Sequence, residues 1–255
     1  MMRRTKMKKR TPVLWLSLLL LVLPAFALDQ EITAVRADKI FTVSHGTIAD
    51  GLILIEKGKI VFVGSGREVP KNAILLRAKV VIPGLIDTHT HLGTRSDWNE
   101  YAGDVNPALK IMDAINIQSE DFAFALSGGT TTTMVTPGSG NVICGQLVVI
   151  KTAGESYRQR ILRNPAGVKM AFDLPQALRI ASDELDKARD YSLRKKKAAD
   201  RGEAFEMDAG MEALAKVLRR EIPAPSNKAG IPSGRLSACL RRRGPKLTET
   251  AAFRS

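Results

Sequence analysis

A chain of 255 residues holds one large domain or two small ones, and its 39 Lys and Arg against 26 Asp and Glu leave a net charge of +13. The excess sits at the ends: residues 1–27 carry six basic residues and no acid, residues 223–255 seven against one, and the body between them 26 against 25. A nearly neutral body offers no footprint for a phosphate backbone, which excludes nucleic acid as the partner. Two cysteines, Cys144 and Cys239, are too few for a disulfide scaffold, although an oxidising compartment would let them pair.

Residues 1–27 open with Arg3, Arg4, Lys6, Lys8, Lys9 and Arg10, run through an apolar stretch from Val13 to Leu23, and reach Ala25-Phe26-Ala27. A basic head, a short apolar core and a small-x-small site read as a signal peptide cleaved after Ala27, placing the protein in the periplasm or outside the cell. The apolar run falls short of the ~20 residues that span a bilayer, so no stable membrane span is expected after cleavage. An uncleaved anchor is the alternative.

Residues 28–79 read as a small antiparallel β unit. Strands are expected near Lys39–Val43, at Leu52–Ile55 and Ile60–Val63 around the polar connector Glu56-Lys57-Gly58-Lys59, and near Ala73–Arg77. Residues 80–222 change pattern. Val80-Val81-Ile82 is a continuous apolar run of the kind buried on both faces of a parallel sheet. Leu109–Leu126 reads as a helix ended by Gly128-Gly129. Thr130–Val135, Gln146–Lys151 and Gly167–Phe172 read as strands, and Pro175–Glu221 as helix broken near Gly202. Strands alternating with helices predict a parallel α/β layout. Residues 223–255, rich in Pro, Gly, Ser and Arg, show no apolar periodicity and read as disordered or as an out-of-frame extension.

The chemistry is concentrated in Ile82-Pro83-Gly84-Leu85-Ile86-Asp87-Thr88-His89-Thr90-His91-Leu92-Gly93. At a strand end the two-residue spacing turns His89 and His91 to the same side, roughly 7 Å apart along the chain. Two neutral imidazoles converging there form part of a site for zinc or a similar divalent cation. Asp87, two residues earlier, is placed to support them from behind.

Pro-Gly-Leu-Ile-Asp-Thr-His-Thr-His resembles the first-strand signature of the amidohydrolase superfamily, and the preceding β unit resembles the start of that family's small β-sandwich. Asp113-Ala114-Ile115-Asn116, Gly128-Gly129-Thr130-Thr131-Thr132 and the run Pro137–Gln146 look like the imidazolonepropionase-related branch, so the resemblance covers residues 32–222. It implies a (β/α)8 barrel, metal at the C-terminal ends of its strands, and hydrolysis of C–N bonds of small molecules, often cyclic amides. A barrel needs about 250 residues, whereas residues 80–222 have room for about four strand–helix units. The family's later histidines and its last-strand aspartate have no counterpart after His91, since the remaining histidine, His45, lies upstream. A truncated or frameshifted hydrolase is therefore expected. The alternatives are an inactive fragment or a secreted, non-enzymatic binding module.

Lys169, on the expected strand Val168–Phe172, reads two ways. As in some family members it could be carbamylated and bridge metals, with Asp173 nearby, or it is a strand-end lysine reaching solvent. Asn141 and Gln146 read as loop-fixing hydrogen bonders, His45 as an exposed turn residue, Lys195-Lys196-Lys197 as a solvated helix face, and Thr130–Thr133 as strand filler.

Overall fold

The computed structural model describes residues 32–173 and 175–226. The leader, Cys239 and residues 227–255 lie outside them. The chain divides into two compact units between Pro83 and Gly84.

In the first unit, β1 (Ile32–Phe41), β2 (Thr47–Glu56), β3 (Lys59–Gly64) and β4 (Ala73–Val81) form one sheet in the order β3-β2-β1-β4. The β2–β3 turn is Lys57-Gly58, both with positive φ (51° and 70°), the primed geometry that matches strand twist. Along β2, Leu52 and Leu54 bury with Ala34 while Ile53 buries with Ala37 and Ile40. The sheet is mixed, not antiparallel as expected. The hairpin takes up one side of β1–β2, and β4 returns along the other side of β1 in the same direction, from Ile32 opposite Ala73 to Ile40 opposite Val81. Val80 and Val81 end β4, and Val80 is half exposed. They are not a buried strand of the second unit. Pro83, which lacks an N–H, ends that run, and the next strand begins after Gly84.

The second unit holds β5 (Leu85–Thr90), a 3-10 turn (Ile111–Ala114), α1 (Glu120–Ser127), β6 (Thr130–Val135), β7 (Ile143–Lys151), α2 (Tyr157–Arg160), β8 (Ile161–Met170), α3 (Ala177–Asp200) and α4 (Ala209–Leu218). The expected helix over 109–126 is split. Asn116 Oδ1 accepts from Gln118 N, and Ser119 Oγ caps α1 at Asp121 N, so polar side chains divert the backbone where a continuous helix would pass.

The sheet runs β5-β6-β7-β8. β5 and β6 are parallel, but β7 is antiparallel to both β6 and β8, which corrects the all-parallel expectation. The reason is connection length. A parallel crossover takes a dozen residues or more, and the link from Val135 to Ile143 is too short for one, so β7 folds back beside β6. The single turn of α2 then leads directly into β8, which runs in the direction of β5 and β6.

Behind the sheet, Ala177, Ala181, Leu185 and Ala188 form a buried stripe on α3 against Val168 and Met170 of β8 and Leu214 and Val217 of α4. Gly202, φ 67°, ends α3 as its pattern predicts. Lys195 is not merely solvated: it pairs with Glu212, which also accepts from the buried Tyr191 hydroxyl at 2.8 Å, joining α3 to α4. Backbone pairing continues past Ile222. Val168 N donates to Pro223 O and Met170 N to Pro225 O, both at 3.1 Å, so residues 223–226 lie along the outer edge of β8. Gly167 permits this approach, since a Cβ there would stand 2.8 Å from Pro223 O. Among the described residues no helix is long and apolar enough to cross a membrane.

Candidate metal centre

The site forms at the ends of β5, β6 and β8. Thr136, the first residue after β6, donates its N–H to Thr90 O at 2.9 Å, between the two histidines. His89 and His91 end with ring centroids 5.7 Å apart and planes at 76°. His91 Nδ1 lies 2.8 Å from Thr136 O. A carbonyl only accepts, so Nδ1 carries the proton and Nε2 keeps its lone pair. His89 Nε2 lies 3.4 Å from the amine of Lys169, eighty residues later in the chain.

Lys169 is 2% exposed. It does not reach solvent: its Nζ donates to Pro137 O at 2.6 Å and stands 3.5 Å from Thr136 Oγ1. These neighbours are neutral, so burial dominates and pushes the ammonium below its usual range, against weaker pulls upward from Cys144 and Asp97. His89 is lowered as well, by burial first and then by the positive charges of Lys169 and His91. Both shifts favour the uncharged nitrogen, the form that binds a metal or reacts as a nucleophile.

A bound metal would set the spacing of its donors. Two ligands of a tetrahedral ion, each about 2.1 Å from it, stand about 3.4 Å apart. His89 Nε2 and Lys169 Nζ are separated by 3.4 Å, and His91 Nε2 and Asp97 Oδ1 by 3.5 Å. Each of these two pairs has a spacing that one ion could bridge, and imidazole and amine nitrogens are suitable donors when unprotonated. Among the described residues no three of His, Cys, Asp and Glu converge closely enough to hold an ion by themselves.

The three residues singled out from sequence, His89, His91 and Lys169, are thus brought together. Asp87 is not behind an imidazole; its carboxylate accepts from the His89 backbone N–H at 3.0 Å. The place behind His91 belongs to the Thr136 carbonyl. Asp173 is exposed beyond β8. Asn141 fixes the loop, accepting from Glu100 N and donating to Glu100 O and Gly103 O. Gln146 donates to Pro107 O. His45 is an exposed turn residue beside Ser44. Cys144 is buried, its thiol pushed up to about 11 by desolvation.

Sequence reasoning missed Thr136, Pro137 and Asp97. The first two act mainly through carbonyls, which leave no side-chain signal beyond a Thr-Pro pair closing a β-branched strand. Asp97 comes from the loop after His91. That loop is stitched to the 136–141 loop by Gly138 N to Trp98 O (2.7 Å) and Gly140 N to Asn99 Oδ1 (2.6 Å).

No family model matches the chain. Curated relatives match in part. The amidohydrolase tasK of Hapsidospora irregularis is 25% identical over 185 residues, 67% of this chain and 19% of that protein. The imidazolonepropionase of Fusobacterium nucleatum is 38% identical over 102 residues, 34% of this chain and 24% of that protein. An amidohydrolase structure from Thermotoga maritima superposes with a TM-score of 0.75 at 28% identity, covering 82% of this chain and 61% of that one. The chain therefore spans about a fifth to a quarter of these two curated relatives and three-fifths of the solved structure.

Proposed function

The chain belongs to the amidohydrolase superfamily, and we propose that the protein is a hydrolase of C–N bonds in small cyclic amides. Its divalent metal, zinc in this reading, is held in part by His89, His91 and Lys169. The observation that carries the proposal is the meeting of a buried, uncompensated lysine with His89 across the sheet. The partial barrel implied by the family resemblance is consistent with β5, β6 and β8 running in one direction, with β7 inserted against them. The leader-like residues 1–27 support a periplasmic or secreted setting.

When bound, the metal would lower the pKa of a water and polarise the amide carbonyl. The chain's own residues prepare that chemistry. His89 and His91 offer lone pairs at Nε2, and the Thr136 carbonyl keeps the His91 proton on Nδ1. Burial favours the neutral amine of Lys169, and in that form it can add to carbon dioxide. Its nitrogen then forms a bond to carbon and releases a proton, giving a carbamate whose oxygens are better ligands than the amine. The imidazolonepropionase match supports a cyclic amide as substrate.

The test is metal content and zinc affinity of the wild-type protein, of a His89→Ala/His91→Ala pair and of Lys169→Met, alongside turnover of imidazolone, hydantoin and dihydropyrimidine substrates in bicarbonate buffer. Stoichiometric zinc lost in the double variant, with turnover of at least one cyclic amide, is expected. Wild-type protein that binds no metal and melts identically with and without chelator would favour a non-enzymatic binding module instead.

A further inference from the structure

We propose that Thr136 is the positioning residue that couples the two halves of this metal centre, holding His91 just past the end of β5 and Lys169 on β8 through its separate polar atoms. The proposal rests on the metal-centre reading above, but its geometry stands apart from any ion. The Thr136 N–H donates to Thr90 O (2.9 Å), its carbonyl accepts from His91 Nδ1 (2.8 Å), and its hydroxyl lies 3.5 Å from Lys169 Nζ. The next carbonyl, Pro137 O, accepts from the same amine at 2.6 Å. Thr136 is 2% exposed, so these contacts do not compete with bulk water.

Its place in the sequence explains why one residue can serve both sides. Val135 ends β6, which lies directly beside β5, and Thr136 N continues the pairing by one further bond to the residue between the histidines. Pro137 then confines Thr136 to extended backbone, because its ring clashes with a helical predecessor. With that backbone held, the carbonyl faces His91 and the side chain faces β8. A carbonyl on Nδ1 fixes the tautomer in which Nε2 has the lone pair, and such outer contacts typically change metal affinity 10- to 100-fold. The hydroxyl contributes to the other side: it narrows the directions open to the Lys169 amine and supplies a hydrogen-bond partner for whatever the amine carries.

Two measurements on the full chain test this. In metal-free wild-type protein, two-bond nitrogen–proton spectra of the imidazoles should show His91 as the Nδ1–H tautomer. An Nε2–H tautomer would overturn the positioning role, whether or not the protein binds metal. In zinc titrations against a chromophoric chelator, Thr136→Val, which keeps shape and loses the hydroxyl, should bind about tenfold more weakly. Thr136→Ser should stay within about twofold of wild type, on the same reasoning. Equal affinities for the Val and wild-type proteins would overturn the hydroxyl's part. Wild-type protein that takes up no zinc would sink the metal-centre reading alone, leaving the tautomer to decide this one. Thermal melts separate the Val effect from misfolding, since Ser and Val variants of equal stability but unequal affinity cannot differ through the fold.

Discussion

Replacing Lys169 by Met gives the sharpest test of how this site is built, because the structure sets two opposing terms. Methionine keeps the length of the stem and removes the amine. The neutral amine's hydrogen bond to Pro137 O is worth about 0.5–1.5 kcal/mol, and losing it destabilises the variant at any pH. Against this stands the cost of an ammonium 2% exposed among neutral oxygens and a ring nitrogen. Because burial lowers the folded-state pKa below the unfolded one, the unfolded chain binds more protons between the two values. Stability from this group therefore rises with pH across that window. Below the folded pKa the wild type carries the full penalty; above the unfolded value, about 10.4, the penalty is gone. Lys169→Met should thus be about 1 kcal/mol less stable than wild type above about pH 11, with the deficit shrinking or reversing at pH 7. Urea unfolding of both proteins at the two pH values, in bicarbonate-free buffer, reads the difference while other titrating groups cancel. Parallel pH dependence would refute the reasoning, since it would mean the amine is solvated in the folded protein.

Two further outcomes follow from particular contacts. Gly167→Ala places a methyl 2.8 Å from Pro223 O and 2.9 Å from a Leu147 methyl, so it should lift residues 223–226 from β8; amide exchange at Val168 and Met170 would accelerate, and unchanged exchange would show that the pairing is not confined by Gly167. With its thiol pushed up to about 11, Cys144 should alkylate at pH 8 at least a hundredfold more slowly than in denaturant, where the ordinary value near 8.5 leaves about a quarter as thiolate. Peptide mass spectrometry after iodoacetamide checks this, and comparable rates in the two states would place the thiol in contact with solvent.

What the sequence discloses here is what side chains carry. His89 and His91 stand out because two imidazoles two residues apart at a strand end turn to one side, and the β2–β3 hairpin and the end of α3 because Gly58 and Gly202 take backbone angles other residues resist. Thr130–Val135 is β6 to the residue, since β-branched side chains suit a strand. The direction of β7 escapes this kind of reading. Its composition suits either orientation, and the seven residues after Val135 settle the matter through loop length alone. The same holds at the site. Lys169 can be suspected from its strand, but the partners of its buried amine are the Pro137 carbonyl and the Thr136 hydroxyl. A backbone carbonyl is present at every residue, so only the fold reveals which of them faces a lysine. Lys169 itself sits on β8 opposite Gly145 of β7, and those two strands pair only because β7 turns back. The feature hardest to read, the antiparallel insertion, is thus the one that places Lys169 beside His89.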